Sequence, residues 1–165
     1  MSYDVLIYAS VAVGLSAALV AGVFQSFSDF VMDGLIAAEE GGMRAMQALN
    51  RTVMRSAFLA MLLGLVPVTV GLAFVAGRLA TGPAALWMTA GAMVYVFGAF
   101  LVTIVGNVPM NRRLDRLDGH SPDGLSYWHR YGVRWTQLNH VRTLASAATA
   151  GCFIMAAVEL AAGQG

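Results

Sequence analysis

The chain has 165 residues, room for one domain. Apolar residues make up 58% and charged residues only 12%, about half the charge of a water-facing domain, which excludes an ordinary soluble fold. Ten arginines against nine acids leave a net charge of +1, which excludes bulk attraction to nucleic acid, and the lone Cys152 can close no intramolecular disulfide.

Four apolar runs, near residues 5–24, 57–76, 84–105 and 144–160, meet the length of about 20 residues that a membrane span needs. Backbone polar groups in a bilayer core must bond within the segment, so each run is predicted as a helix. The first has Asp4 and no basic residue before it, so it reads as a span and not as a cleaved signal. Gly14, Ala18, Gly22, Gly91 and Gly98 are small enough to let helices approach closely.

The breakers place helix ends beyond the spans. Gly41 with Gly42 punctuates the first connection, Gly77 follows the second span, and Thr81, Gly82 and Pro83 read as a cap with proline in the first turn. Gly119 ends the third helix, and Ser121, Pro122 and Asp123 start the fourth as N-cap, N1 and first-turn acid. The expectation is a single domain over 1–165, with helices near 3–40, 43–76, 83–118 and 122–160. Helices of about 35 residues would be about 50 Å long against a hydrocarbon core of about 30 Å. The predicted fold is therefore an all-α, four-helix, up-and-down transmembrane bundle whose helices extend past the bilayer on one side. Pro67 and Pro109 fall inside helices and are expected to bend them.

Nine arginines share one end: Arg44, Arg51, Arg55, Arg112, Arg113, Arg116, Arg130, Arg134 and Arg142. Only Arg78 lies at the other. The positive-inside rule puts the Arg-rich end in the cytoplasm and both termini outside. Membrane lipids or solvent are the expected surroundings of Arg112, Arg113 and Arg116.

Chemistry-bearing residues gather where spans give way to these extensions. Helical spacing aligns Gln25, Ser28, Asp29, Met32 and Asp33 on the first helix and Met43, Gln47, Asn50 and Met54 on the second. It also aligns Thr103, Asn107, Asn111 and Leu114 on the third, and Trp128, Tyr131, Trp135, Asn139 and Arg142 on the fourth. Facing lipid, such groups would each cost about 2.5–3.5 kcal/mol, so they are expected to turn inward and pair. Asp29 or Asp33 is the expected partner for Arg142 or Arg51. Two readings stay open: a polar chamber for a ligand, or polar glue between helices. His129 and His140, eleven residues apart, stand too far apart to share one metal ion, about 16 Å along a helix. No metal site is predicted, and no HExxH, CxxC or nucleotide-binding motif occurs.

The segments FQSFSDFVMDGL, MQALN, GNVPMNRRLD and WTQLNHVRTLAS, in this order among four spans, resemble the anthrone-oxygenase-like integral membrane family. The matching positions are Asn50, Asn107, Pro109, Asn111, Trp135, Asn139 and Arg142. The resemblance implies oxygenation of a lipophilic phenolic or anthrone-like aromatic, with molecular oxygen as co-substrate and no metal or flavin. Haem and quinone stay open as ligands. On this reading Arg142 and Asn139 hold the substrate anion and Asp29 is the base. Asn50, Asn107, Asn111, Trp135 and Tyr131 line the substrate. The competing expectation is a non-enzymatic subunit, or a lipid- or quinone-binding accessory protein, joined to a partner membrane protein or to a second copy of the chain.

Overall fold

A computed structural model describes residues 3–79 and 82–163. The chain begins with α1 (Asp4–Ala37). A short amphipathic helix follows, α2 (Glu39–Thr52), prolonged by a 3-10 turn at Val53–Arg55. Then come α3 (Ala57–Leu79), α4 (Pro83–Asp115) and α5 (Pro122–Ala162). The four helices other than α2 have 34, 23, 33 and 41 residues, and each is long and apolar enough to cross a membrane. The protein is thus an all-α membrane bundle.

The bundle is a ring. α1 packs on α3, α3 on α4, α4 on α5, and α5 back on α1, with no close backbone contact across either diagonal among the described residues. Chain neighbours are mostly space neighbours, as short connections dictate. The most extensive seam joins α1 and α5. Small residues close the α4–α5 seam: a Cβ on Gly98 would lie 2.5 Å from that of Ala145, and one on Gly91 would lie 2.9 Å from that of Cys152. Gly14 meets Ile154 in the same way, whereas a Cβ on Gly22 would meet nothing within 4 Å, and Ala18 is exposed. Polar bonds pin neighbouring helices: Thr149 Oγ1 donates to the Gly91 carbonyl (3.2 Å) and Tyr95 Oη to that of Leu62 (3.0 Å). Leu15, Leu19, Phe74, Leu86, Val105 and Leu144 point outward, as suits a solvent of lipid tails.

There are two apolar cores. One fills the membrane part, from Leu6 and Leu160 up to Phe24 and Ala145. The other lies at the Arg-rich end, where Met32, Met43, Met46, Leu114, Trp128 and Tyr131 pack under α2. α2 caps that end by resting on the ends of α1, α4 and α5 nearest to it.

Three expectations about the connections are corrected. The helix expected over 43–76 is broken at Ser56, whose backbone is extended (φ −92°, ψ 150°) and whose Oγ accepts from Leu59 N at 3.1 Å. Ser56 is therefore the N-cap of α3, and α3 has only 23 residues. Gly41 and Gly42 do not break the chain either. The turn lies at Ala38 and Glu39, Glu39 takes a positive φ of 49°, and α2 runs through both glycines. Gly42 serves close approach, since a Cβ there would sit 1.6 Å from the Leu35 carbonyl oxygen. Finally, α4 stops at Asp115 and not near 118, because Gln47 Nε2 takes up the carbonyls of Leu114 (2.8 Å) and Leu117 (3.0 Å). Ser121 caps α5 as expected, accepting from Gly124 N at 3.0 Å, with Pro122 at N1. Thr81, part of the expected cap before Pro83, lies outside the described residues.

Candidate functional site

Between the two cores lies a belt of buried polar groups. α5 supplies most of it, because Trp128, Tyr131, Trp135, Asn139 and Arg142 recur every three or four residues on its buried face. α4 meets this face through a π turn, Thr103–Asn107, in which the Val108 N–H reaches back to the Thr103 carbonyl. The wide turn buries both Thr103 and Asn107 toward α5, and it lies just before Pro109, which has no N–H to give. α1 carries a matching π turn, Phe27–Val31, just beyond Phe24.

Arg142 is the centre. It is 4% exposed. One terminal nitrogen donates to Asn139 Oδ1 at 2.5 Å, and the other lies 3.5 Å from Thr103 Oγ1. The guanidinium carbon lies 4.2 Å from the Phe24 ring centroid and 5.1 Å from that of Trp135, so aromatic rings pack against it from α1 and α5. Its Nε has no acceptor. No carboxylate pairs with it among the described residues. The ion pairs found there are Arg44–Glu40, Arg51–Asp115 and His120–Glu40, all at the surface.

Amides and rings extend the network. Asn139 Nδ2 donates to the Phe24 carbonyl (2.5 Å) and to Ser28 Oγ (2.6 Å), which ties α5 to α1. Asn111 Oδ1 accepts from both Tyr131 Oη (2.8 Å) and Trp135 Nε1 (3.1 Å), which ties α4 to α5. Asn107 Nδ2 reaches the Trp135 carbonyl at 3.4 Å, while its Oδ1 is buried without a donor. Asn50 comes down from α2 toward Tyr131, and its amide nitrogen finds no acceptor. Trp128, Tyr131 and Trp135 stack in a column, with centroids 5.5 and 6.3 Å apart. Buried orphan atoms are rare in folded proteins, and here Asn50, Asn107, Trp128, Arg142 and Ser146 each carry one.

The structure thus gathers Asn107, Asn111, Tyr131, Trp135, Asn139 and Arg142, with Asn50 at the margin. It does not gather Asp29. Asp29 and Asp33 are exposed, and Arg51 pairs with Asp115 instead, at 2.5 Å. The reason is angular: the α1 face that carries Phe24 and Ser28 to Asn139 turns Asp29 the other way. His129 and His140 are exposed as well. The residue that sequence reasoning missed is Phe24. Its signal was its place one turn before Ser28, on the same stripe.

The sequence profile of the anthrone oxygenase family matches residues 51–152, more than half of the chain. The chain belongs to the anthrone oxygenase family. No curated protein and no solved structure matches it. The anthrone oxygenase match covers α3, α4 and most of α5, and so takes in Asn107, Asn111, Tyr131, Trp135, Asn139 and Arg142. It leaves out α1 and all but the last two residues of α2, with Phe24, Ser28 and Asn50. Four spans and the family together make this an integral membrane protein.

Proposed function

We propose that the protein oxygenates a lipophilic phenolic or anthrone-like aromatic with molecular oxygen, and that Arg142 holds the substrate as its enolate or phenolate. The observation that carries this reading is a buried guanidinium with aromatic contacts and no acid to neutralise it. An uncompensated buried charge is costly, and a substrate anion would supply the missing charge. A nearby cation favours the ionised substrate. The proton goes to water at the membrane boundary, since the belt holds no carboxylate among its described members.

The reaction balances without a further reductant. The enolate passes one electron to dioxygen, giving a substrate radical and superoxide, and these join through a new C–O bond. The hydroperoxide then loses water, so a ring CH₂ and O₂ become C=O and H₂O. Arg142 and Asn139 hold the substrate oxygen as charge shifts, and a dry site strengthens that hold. Asn107 offers an amide to the peroxide, while Asn111 keeps Tyr131 and Trp135 in place as the aromatic wall. This reading assigns no resident metal or flavin. The Arg-rich end faces the cytoplasm and the termini face outward, by the same arginine count that sets topology elsewhere.

A second reading has its own support. Asn139 bonds two partners on α1 and Asn111 two on α5, so each cross-links helices, as polar glue in a membrane subunit or a quinone-binding accessory protein would. Oxygen uptake decides between them. Purified protein in vesicles, given anthrone in air, is expected to consume one O₂ per quinone formed, faster than protein-free vesicles, and Arg142→Gln is expected to abolish the difference. Uptake equal to that of the protein-free vesicles would leave the subunit reading.

A further inference from the structure

The guanidinium of Arg142 has aromatic neighbours from α1 and α5, so a flat substrate can stack there only if a ring moves. Trp135 is held by its indole N–H on Asn111 and by stacking on Tyr131. The Phe24 ring has no such anchor. It meets Arg142 at 4.2 Å and, edge to face, Phe58 of α3 at 5.5 Å. Phe24 is therefore a partition between α3 and the buried cation.

Beyond this partition runs an apolar groove of about 380 Å³, lined from α1 by Ala9, Ala12 and Ser16 and from α3 by Met61, Gly64 and Val68. α1 and α3 run antiparallel, so the groove continues the seam closed by Phe24 and Phe58. Met61 lies less than one turn past Phe58, and Ser16 about two turns before Phe24. The volume falls in the range of about 300–1,000 Å³ typical of small-molecule sites, and the walls present almost no polar surface.

We propose that this groove is the bilayer-side port through which a flat aromatic substrate reaches Arg142, and that Phe24 is the gate it displaces. The proposal rests on the oxygenase reading for its occupant. Its chemistry narrows that occupant: an apolar polycycle slides along the groove, its ring replaces that of Phe24 on the guanidinium, and its one anionic oxygen meets the cation. An acyl chain fits the groove, and a fatty acid brings an anionic oxygen, but neither carries a ring to take the place of Phe24 on the guanidinium.

The test uses the full-length protein in phosphatidylcholine vesicles, with 4-hydroxybenzophenone as a photolabel mapped by mass spectrometry. The label is expected on Met61, competed by anthrone and not by palmitate. Gly64→Leu is a clean block, because a Cβ there meets nothing within 4 Å. It is expected to lower Met61 labelling and to raise KM for anthrone, each about tenfold, with kcat within about twofold. Phe24→Leu is expected to shift labelling inward, toward Trp135. Unchanged labelling and KM in Gly64→Leu overturn the port even if the wild type turns over. Competition by palmitate as strong as by anthrone overturns the aromatic occupant. Labelling that Gly64→Leu removes, in a protein with no turnover, keeps the port and removes the oxygenase reading.

Discussion

Replacing Arg142 by methionine separates function from architecture. The change deletes one charge-assisted hydrogen bond to Asn139, worth about 1.5–3 kcal/mol. It also deletes two ring contacts, worth about 0.5–2 kcal/mol each. Against this, it releases a buried charge that has no acid partner, whose desolvation costs several kcal/mol. Methionine is long and flexible enough to fill the space beside Phe24 and Trp135. The terms nearly cancel, so the melting temperature is expected to stay within about 4 °C of wild type. Catalysis has no such compensation. Loss of a donor to a developing oxyanion in a dry site is expected to lower kcat about 10²–10³-fold, or about 2.7–4 kcal/mol. The assays are thermal unfolding in detergent and anthrone-dependent oxygen uptake in vesicles. A kcat within about threefold of wild type would refute contact between guanidinium and substrate, and a fall in melting temperature beyond about 10 °C would make Arg142 a structural strut.

Asn111→Leu strands the Tyr131 and Trp135 donors and is expected to cost about 2–5 kcal/mol in thermal unfolding, while Asn111→Asp keeps both acceptor bonds and restores most of it. Gly98→Ala forces a Cβ to 2.5 Å from Ala145 and is expected to cost about 1–3 kcal/mol in the same assay. Gly22→Ala, with open space around it, is expected to leave the melting temperature unchanged. Ser56→Ala removes the cap on Leu59 N and is expected to cost about 1 kcal/mol, measured as lost hydrogen-exchange protection in the first turn of α3.

Much of the architecture was legible from the residue pattern. Four apolar runs of span length allow only helices in lipid, and short connections allow few orders other than a ring of antiparallel neighbours. Ser121 and Pro122 mark the start of α5 because capping is local chemistry. Ser56 carries the same signal before Ala57, but no glycine or proline near it marks the end of the helix before, so the boundary is hidden in the sequence. The glycine pair at 41 and 42 misled for the opposite reason. A glycine can answer a need for a turn or a need for close approach, and only the position of Leu35 shows that Gly42 answers the second.

For the belt, periodicity alone determined that Trp135, Asn139 and Arg142 share a face of α5, and the cost of polar groups in lipid determined that the face turns inward. Which groups meet across helices was not local information. π turns in α1 and α4 alter the helical phase by a fraction of a turn, and nothing in a stripe count records that. The phase brings Phe24 and Thr103 to the guanidinium and leaves Asp29 exposed. Residue types and their spacing thus determined the spans, the helix faces and the buried cation. The tertiary structure decided its company, because contacts between helices depend on rotation about each axis, and rotation is set by the packing of all four together.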